Sequence, residues 1–70
     1  DAPRQIAVLN RLIVLLPDAW DERRDRGLAH AECGHTAQAL DDLEHYLANA
    51  QGRPDIAAIA ERVRDLRNNP

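Results

Sequence analysis

The sequence predicts an all-α fold of about four helices, packed as antiparallel hairpins. Three observations carry this. Breakers cut the chain into four stretches of helical length, and apolar residues recur at helical spacing in the first, third and fourth. The breakers Pro3, Pro17, Gly34, Gly52, Pro54 and Pro70 fall at the edges of those stretches. Strand signals are missing, and Trp20 and Tyr46 are the only aromatics, too few for a small β-sandwich or barrel.

Segment one spans about Arg4 to Leu16, with Ile6, Leu9, Ile13 and Leu16 at helical spacing. Pro3 suits a first-turn position and Pro17 stops the helix. Segment two spans Asp18 to Cys33. Asp18 is the expected N-cap, Asp21 and Glu22 sit at the positive end of the helix dipole, and Gly34 is the expected left-handed stop. Segment three spans Thr36 to about Ala50, with Thr36 as cap, Gly52 beyond its end, and Ala37, Leu40, Leu43, Leu47 and Ala50 as the expected buried stripe. Segment four spans Asp55 to about Asn68, capped by Asp55, with Ile56, Ile59, Ala60, Val63 and Leu66 on one face. Connections of about two to four residues force antiparallel neighbours.

Seventy residues make one small domain of marginal stability. The net charge of −3 is spread without a long run of one sign, which excludes a nucleic-acid tail or polybasic membrane anchor. No apolar run approaches the ~20 residues of a membrane span. All nine basic residues are Arg, so every cation is permanent and able to make planar, bidentate contacts. The single cysteine, Cys33, excludes a disulfide framework. The chain starts at Asp1, with neither an initiator Met nor a signal peptide, and reads as a piece of something longer.

Segment one can be laid on segment three, with Ile6 on Leu40, Leu9 on Leu43, Leu12 on Tyr46 and Ile13 on Leu47. A period of two helices in about 34 residues resembles the tetratricopeptide repeat. Gly27, Ala39 and Leu43 match its pattern, Gly34 sits in its inter-helix turn, and Pro17 matches the terminal Pro of a preceding copy. Arg23, Arg26, His30 and Gln51 replace the repeat's Trp, Leu, Tyr and final Pro. On this resemblance residues 4–16 are the second helix of a partial repeat, 17–54 one full repeat, and 55–69 a terminal capping helix, all in a single domain over 1–70.

The strings Glu22-Arg23-Arg24-Asp25-Arg26-Gly27-Leu28-Ala29 and Ala39-Leu40-Asp41-Asp42-Leu43-Glu44 are similar to the C-terminal tetratricopeptide pair of bacterial SirB-type proteins. Those proteins carry a transglutaminase-like domain in front, which this chain does not include. The resemblance implies a cytoplasmic bacterial protein in which this region is a protein–protein or inter-domain interaction module and not itself an enzyme. The alternative it implies is a non-catalytic extension that supports the transglutaminase-like active site.

The candidate contact residues are Arg23, Arg24, Arg26, Leu28 and Glu32. The charged run of segment two reads either as a solvated helix face with local pairs, Asp21 to Arg24 and Glu22 to Arg26, or as a contact site, because Arg23 and Arg26 stand where packing residues belong in the repeat. An Arg there can lay its stem on apolar surface and offer its fork to a carboxylate, from an upstream domain or from Asp41, Asp42 or Glu44. Those three carboxylates otherwise read as the outer face of segment three. The resemblance lines the family's ligand groove with Asp21, Arg24, Leu28, Ala31 and Glu32. It lacks the Lys/Asn set of chaperone-tail receptors.

His30, Glu32, Cys33 and His35 lack the second ligand pair of a zinc site, so no metal or other cofactor is expected. There is no Ser, and two short hairpins offer no cleft for a Cys–His pair. Segment one is apolar over an arc of roughly 180°, so Val8, Leu12 and Leu15 are expected to be covered, by an upstream domain or by a second copy in a homodimer.

Overall fold

A computed structural model describes residues 1–69: α1 (Ala2–Leu15), α2 (Trp20–Glu32), α3 (Thr36–Asn49) and α4 (Ile56–Asn68), with no strand among them. Successive helices pack as antiparallel neighbours in the order α1, α2, α3, α4. The extents are 31 × 28 × 16 Å, so the shortest is little more than one helix diameter and both end helices keep an open face.

The helices start and stop for local reasons. The Asp1 carboxylate accepts from the Arg4 N–H at 2.8 Å, and Pro3 stands in the first turn where no N–H is needed. This cap carries the start of α1 back to Ala2, ahead of where the apolar spacing alone places it. Gly34 and Gly52 take φ of 76° and 82°, the left-handed turns expected of them. Three expected caps differ. Ala19 rather than Asp18 precedes α2, and Asp18 belongs to the preceding turn, where its carbonyl accepts from the Trp20 N–H. His35 precedes α3, with Thr36 already helical. Asp55 does precede α4, but its carboxylate makes no cap bond and turns to other partners.

The repeat period is structural. The shift that lays Ile6 on Leu40 carries α1 onto α3 at both ends, Ala2 onto Thr36 and Leu15 onto Asn49. Leu9 and its counterpart Leu43 are both buried. The α3–α4 connection is longer than expected. The same shift would carry Trp20, the start of α2, onto Pro54, yet α4 begins at Ile56.

The core joins Leu43, Tyr46 and Ala50 of the α3 region to Ile59 and Val63 of α4, with Trp20, Leu28, Leu40, Leu47, Ile56 and Leu66 packed around it. The buried line of α3 is therefore Ala39, Leu43, Tyr46 and Ala50. Ala37 is exposed, and Leu40 and Leu47 are half-buried. The stripe is rotated from the expected one because two helices, not one, press on α3. An ion pair between Arg67 and Glu44 ties the end of α4 back to α3.

Close approach of α2 to α3 depends on Gly27. A Cβ there would lie 2.9 Å from Cγ and Cδ2 of Leu43 and 3.0 Å from Cβ of Asp42. Both neighbours are fully buried and neither can swing away. Gly27→Ala should therefore destabilise by about 1–3 kcal/mol, despite alanine's better helix propensity. Leu43→Ala should cost about 2–5 kcal/mol. Urea melts of both variants check this, and a stabilised Gly27→Ala would mean that α2 stands further from α3.

Candidate functional site

Asp42 is the one buried charged residue among the described ones. It sits one position before Leu43, on the side of α3 that α2 covers. Arg26 of α2 meets it with a two-pronged grip, Nε donating to Oδ2 at 2.8 Å and Nη2 to Oδ1 at 2.7 Å. Arg23 adds a longer contact, Nε to Oδ1 at 3.4 Å, while its guanidinium lies 5.9 Å from the Trp20 ring centre. The remaining arm of Arg26, Nη1, donates to Asn10 Oδ1 of α1 at 2.9 Å. One side chain thus ties three helices. The hydrogen bonds to Asp42 raise the Arg26 pKa further.

A second cluster joins α2, α3 and the α3–α4 connection. The Tyr46 hydroxyl, fully buried, donates to Asp55 Oδ1 at 2.5 Å. Arg24 Nη1 donates to Asp55 Oδ2 at 3.1 Å and its Nε to Asp25 at 3.0 Å, with the guanidinium 5.7 Å from the Tyr46 ring centre. Arg53 donates to Asp21 at 2.6 Å, a second strap from the same connection onto α2. The bond from Tyr46 is the main reason that Asp55 is held below the ordinary carboxylate range, helped by Arg24. Burial first, then the bond to Asp55, pushes the Tyr46 hydroxyl above the ordinary phenol range.

At the α2–α3 turn, His30 and His35 share one hydrogen bond between their Nδ1 atoms at 3.1 Å, so one donates and the other accepts. Burial lowers the His30 pKa, with Asp42 opposing and His35 and Arg26 reinforcing. Among the described residues no three His, Cys, Asp or Glu side chains gather in a metal-holding arrangement.

The structure thus gathers Arg23, Arg24 and Arg26 into internal ties. The carboxylate facing Arg23 and Arg26 is Asp42. It is not on an outer face of α3, as its neighbours Asp41 and Glu44 had suggested for all three: α2 covers it, whereas Asp41 stays exposed. Leu28 packs against the core, and Glu32 is exposed. Asn10 and Asp55 carry ties that sequence reasoning missed. Asp42 had a usable signal, since it lies within the Ala39–Leu43–Tyr46 line at helical spacing.

The other notable surface is α1. Val8, Leu12, Val14, Leu15 and Leu16 are all exposed. The repeat correspondence divides them. Val8, Leu12 and Leu16 are 55%, 38% and 59% exposed, while Asp42, Tyr46 and Ala50 at the matching places of α3 are 2%, 0% and 5%. The α3 set lies under its neighbouring helices; the α1 set has no such cover. Val14 and Leu15 match Ala48 and Asn49, which are exposed on α3 as well. Arg4 and Arg11 line a shallow groove with Ala7, Val8 and Leu12.

The tetratricopeptide-repeat family model matches residues 1–64. The chain belongs to that family. It is also 34% identical over 59 residues to a UPF0162 protein of Xylella fastidiosa strain Temecula1, and 32% identical over 59 residues to one of strain 9a5c. Each alignment covers 84% of this chain and 21% of the relative, so the chain spans about a fifth of the length of these relatives. No solved structure matches. The tetratricopeptide pattern accounts for Gly27, which lets two helices approach closely, for Leu43 opposite it and for the buried Ala39.

The Tyr46–Asp55 bond makes stability depend on pH at both ends. Asp55 has a depressed pKa, so its contribution is present above the unfolded carboxyl value near 3.8 and lost as pH falls through the folded value. Tyr46 has a raised pKa, so its contribution is present below 10.0 and lost as pH rises through the folded value. Tyr46→Phe should lower stability at neutral pH by roughly 0.5–1.5 kcal/mol and flatten both limbs. Urea midpoints across the acid and alkaline limbs check it, and parallel curves for the two proteins would mean that the bond does not form.

Proposed function

We propose that this chain is a docking module within a longer bacterial protein, acting in the cytoplasm, with α1 as its joint to a protein partner or an upstream domain. The observation that carries the reading is the unequal exposure of matched residues on α1 and α3. Val8, Leu12 and Leu16 are bare where Asp42, Tyr46 and Ala50 are covered. Repeats stabilise one another by covering such faces, since one unit cannot bury its own. The length of the Xylella relatives supports a larger setting. The open face of α4, by contrast, carries Ala57, Ala58, Glu61, Arg62, Arg64 and Asp65 and suits solvent. The array is therefore open at α1 and closed at α4. A front domain of the transglutaminase-like kind is one candidate for the cover, on the SirB-type resemblance alone. The internal ties of Arg23, Arg24 and Arg26 give the module rigidity, and the joint lies elsewhere.

Amide hydrogen exchange tests the reading, comparing the 70-residue chain with the natural full-length protein. The α1 amides should be protected at least tenfold more in the longer form. Leu12→Glu should abolish that gain yet change the stability of the shorter chain by no more than about 0.5 kcal/mol. Equal protection in the two forms would refute the joint at α1.

A further inference from the structure

The hairpin that is present shows how a helix sits on the equivalent of α1, and from it the structure points to the chemistry of what docks there. The inference rests on α1 as a docking face and adds the pattern of the occupant. Taking Arg26 on Asp42 as the antiparallel register, counting along the two helices pairs His30 with Gln38, which line one shallow pocket, and Arg23 with His45, although the Arg23 side chain turns back to Asp42. Gly27 rides over Leu43. Moving this register back by one repeat period replaces Asp42 with Val8, Leu43 with Leu9, Gln38 with Arg4 and His45 with Arg11.

Each replacement changes what a covering helix must supply. Over Val8 an arginine would lose its carboxylate, so the place held by Arg26 in α2 calls for an apolar residue. Over Leu9 the place of Gly27 calls for a small residue. Opposite Arg4 and Arg11, the places of His30 and Arg23 call for carboxylates. α1 carries no acid of its own, and neither arginine makes an ion pair among the described residues. Both arginines flank the apolar strip rather than interrupt it, so a carboxylate at the rim reaches them without burial. A second copy of α1 would instead bring four guanidinium groups together, a repulsive arrangement.

We propose that α1 seats an amphipathic helix of one pattern: a carboxylate, an apolar residue three positions later, a small residue directly after it, and a second carboxylate seven positions after the first. The first carboxylate meets Arg11 and the second Arg4, with the apolar and small residues over Val8 and Leu9.

Stapled helical peptides titrated into the 70-residue chain test this. The acidic probe has the sequence of residues 18–34 with Arg23→Glu, Arg26→Leu and His30→Glu. The basic control keeps Arg23 and carries Arg26→Leu and His30→Arg. The acidic probe should bind roughly three- to tenfold more tightly. In the chain carrying Arg4→Glu and Arg11→Glu, whose exposed positions leave folding intact, the preference should reverse. Equal binding of both probes, unchanged by the charge reversal, would overturn the acidic pattern while leaving α1 a docking face. A dimer in sedimentation, dispersed by Leu12→Glu and unresponsive to either probe, would overturn it in favour of a second copy. A monomer that binds neither probe would overturn both the pattern and the docking face.

Discussion

A buried carboxylate organises this small fold. Asp42 is almost wholly removed from water, and an unpaired charge there would cost several kcal/mol. It is acceptable because Arg26 grips both oxygens and Arg23 adds a third contact. That grip works only if α2 lies close against α3, and the closeness requires Gly27. Arg26 then extends to Asn10 and fixes the approach of α1. A charge, a missing side chain and one guanidinium fork thus set the relative places of three helices. Hydrophobic packing alone would leave more latitude, since Leu and Ala contacts have little directional preference.

The same constraint distinguishes two helices of similar length and pattern. α1 and α3 coincide after a shift of one repeat period, yet α1 offers Val8 where α3 offers Asp42. α2 packs against both, one on each side, but only α3 supplies Arg23 and Arg26 with a carboxylate. The polar pair therefore acts as a register key, a role buried ion pairs serve in some helical assemblies. The opposite face of α1 has Val8, and no carboxylate, in the place of Asp42. At the other end, the Arg67–Glu44 pair holds α4 on α3, and the Asp55 and Arg53 straps hold the α3–α4 connection on α2.

Much of the fold was legible in the sequence. α1, α3 and α4 follow from apolar spacing with Pro and Gly placement, α2 from its acidic first turn between Pro17 and Gly34, and the repeat from Leu9 and Leu43 lying one period apart. The caps were less legible, because Asp18, Thr36 and Asp55 are all good capping types and only their neighbours decide their use. Tyr46 drew the Asp55 carboxylate away from its own helix, an event 9 residues distant that no local rule detects. The α3 stripe was misplaced because a single-helix pattern assumes one partner, while α3 has two. The arginines stood out as replacements in the repeat pattern, but their carboxylate was left among Asp41, Asp42, Glu44 and an upstream domain. Adjacent acids on one helix point about 100° apart, so the choice waits on where α2 lies. The openness of α1 was visible in its broad apolar arc.

A double-mutant cycle on Arg26 and Asp42 tests the central claim most directly. Arg26→Ala and Asp42→Ala should each destabilise the chain, with Arg26→Ala costing about 3–5 kcal/mol because it leaves a buried charge. The double variant should cost far less than the two losses combined, giving a coupling of about 1.5–3 kcal/mol in urea unfolding. Losses that add to within about 0.5 kcal/mol would show that the two residues act independently and that packing alone places α2 on α3.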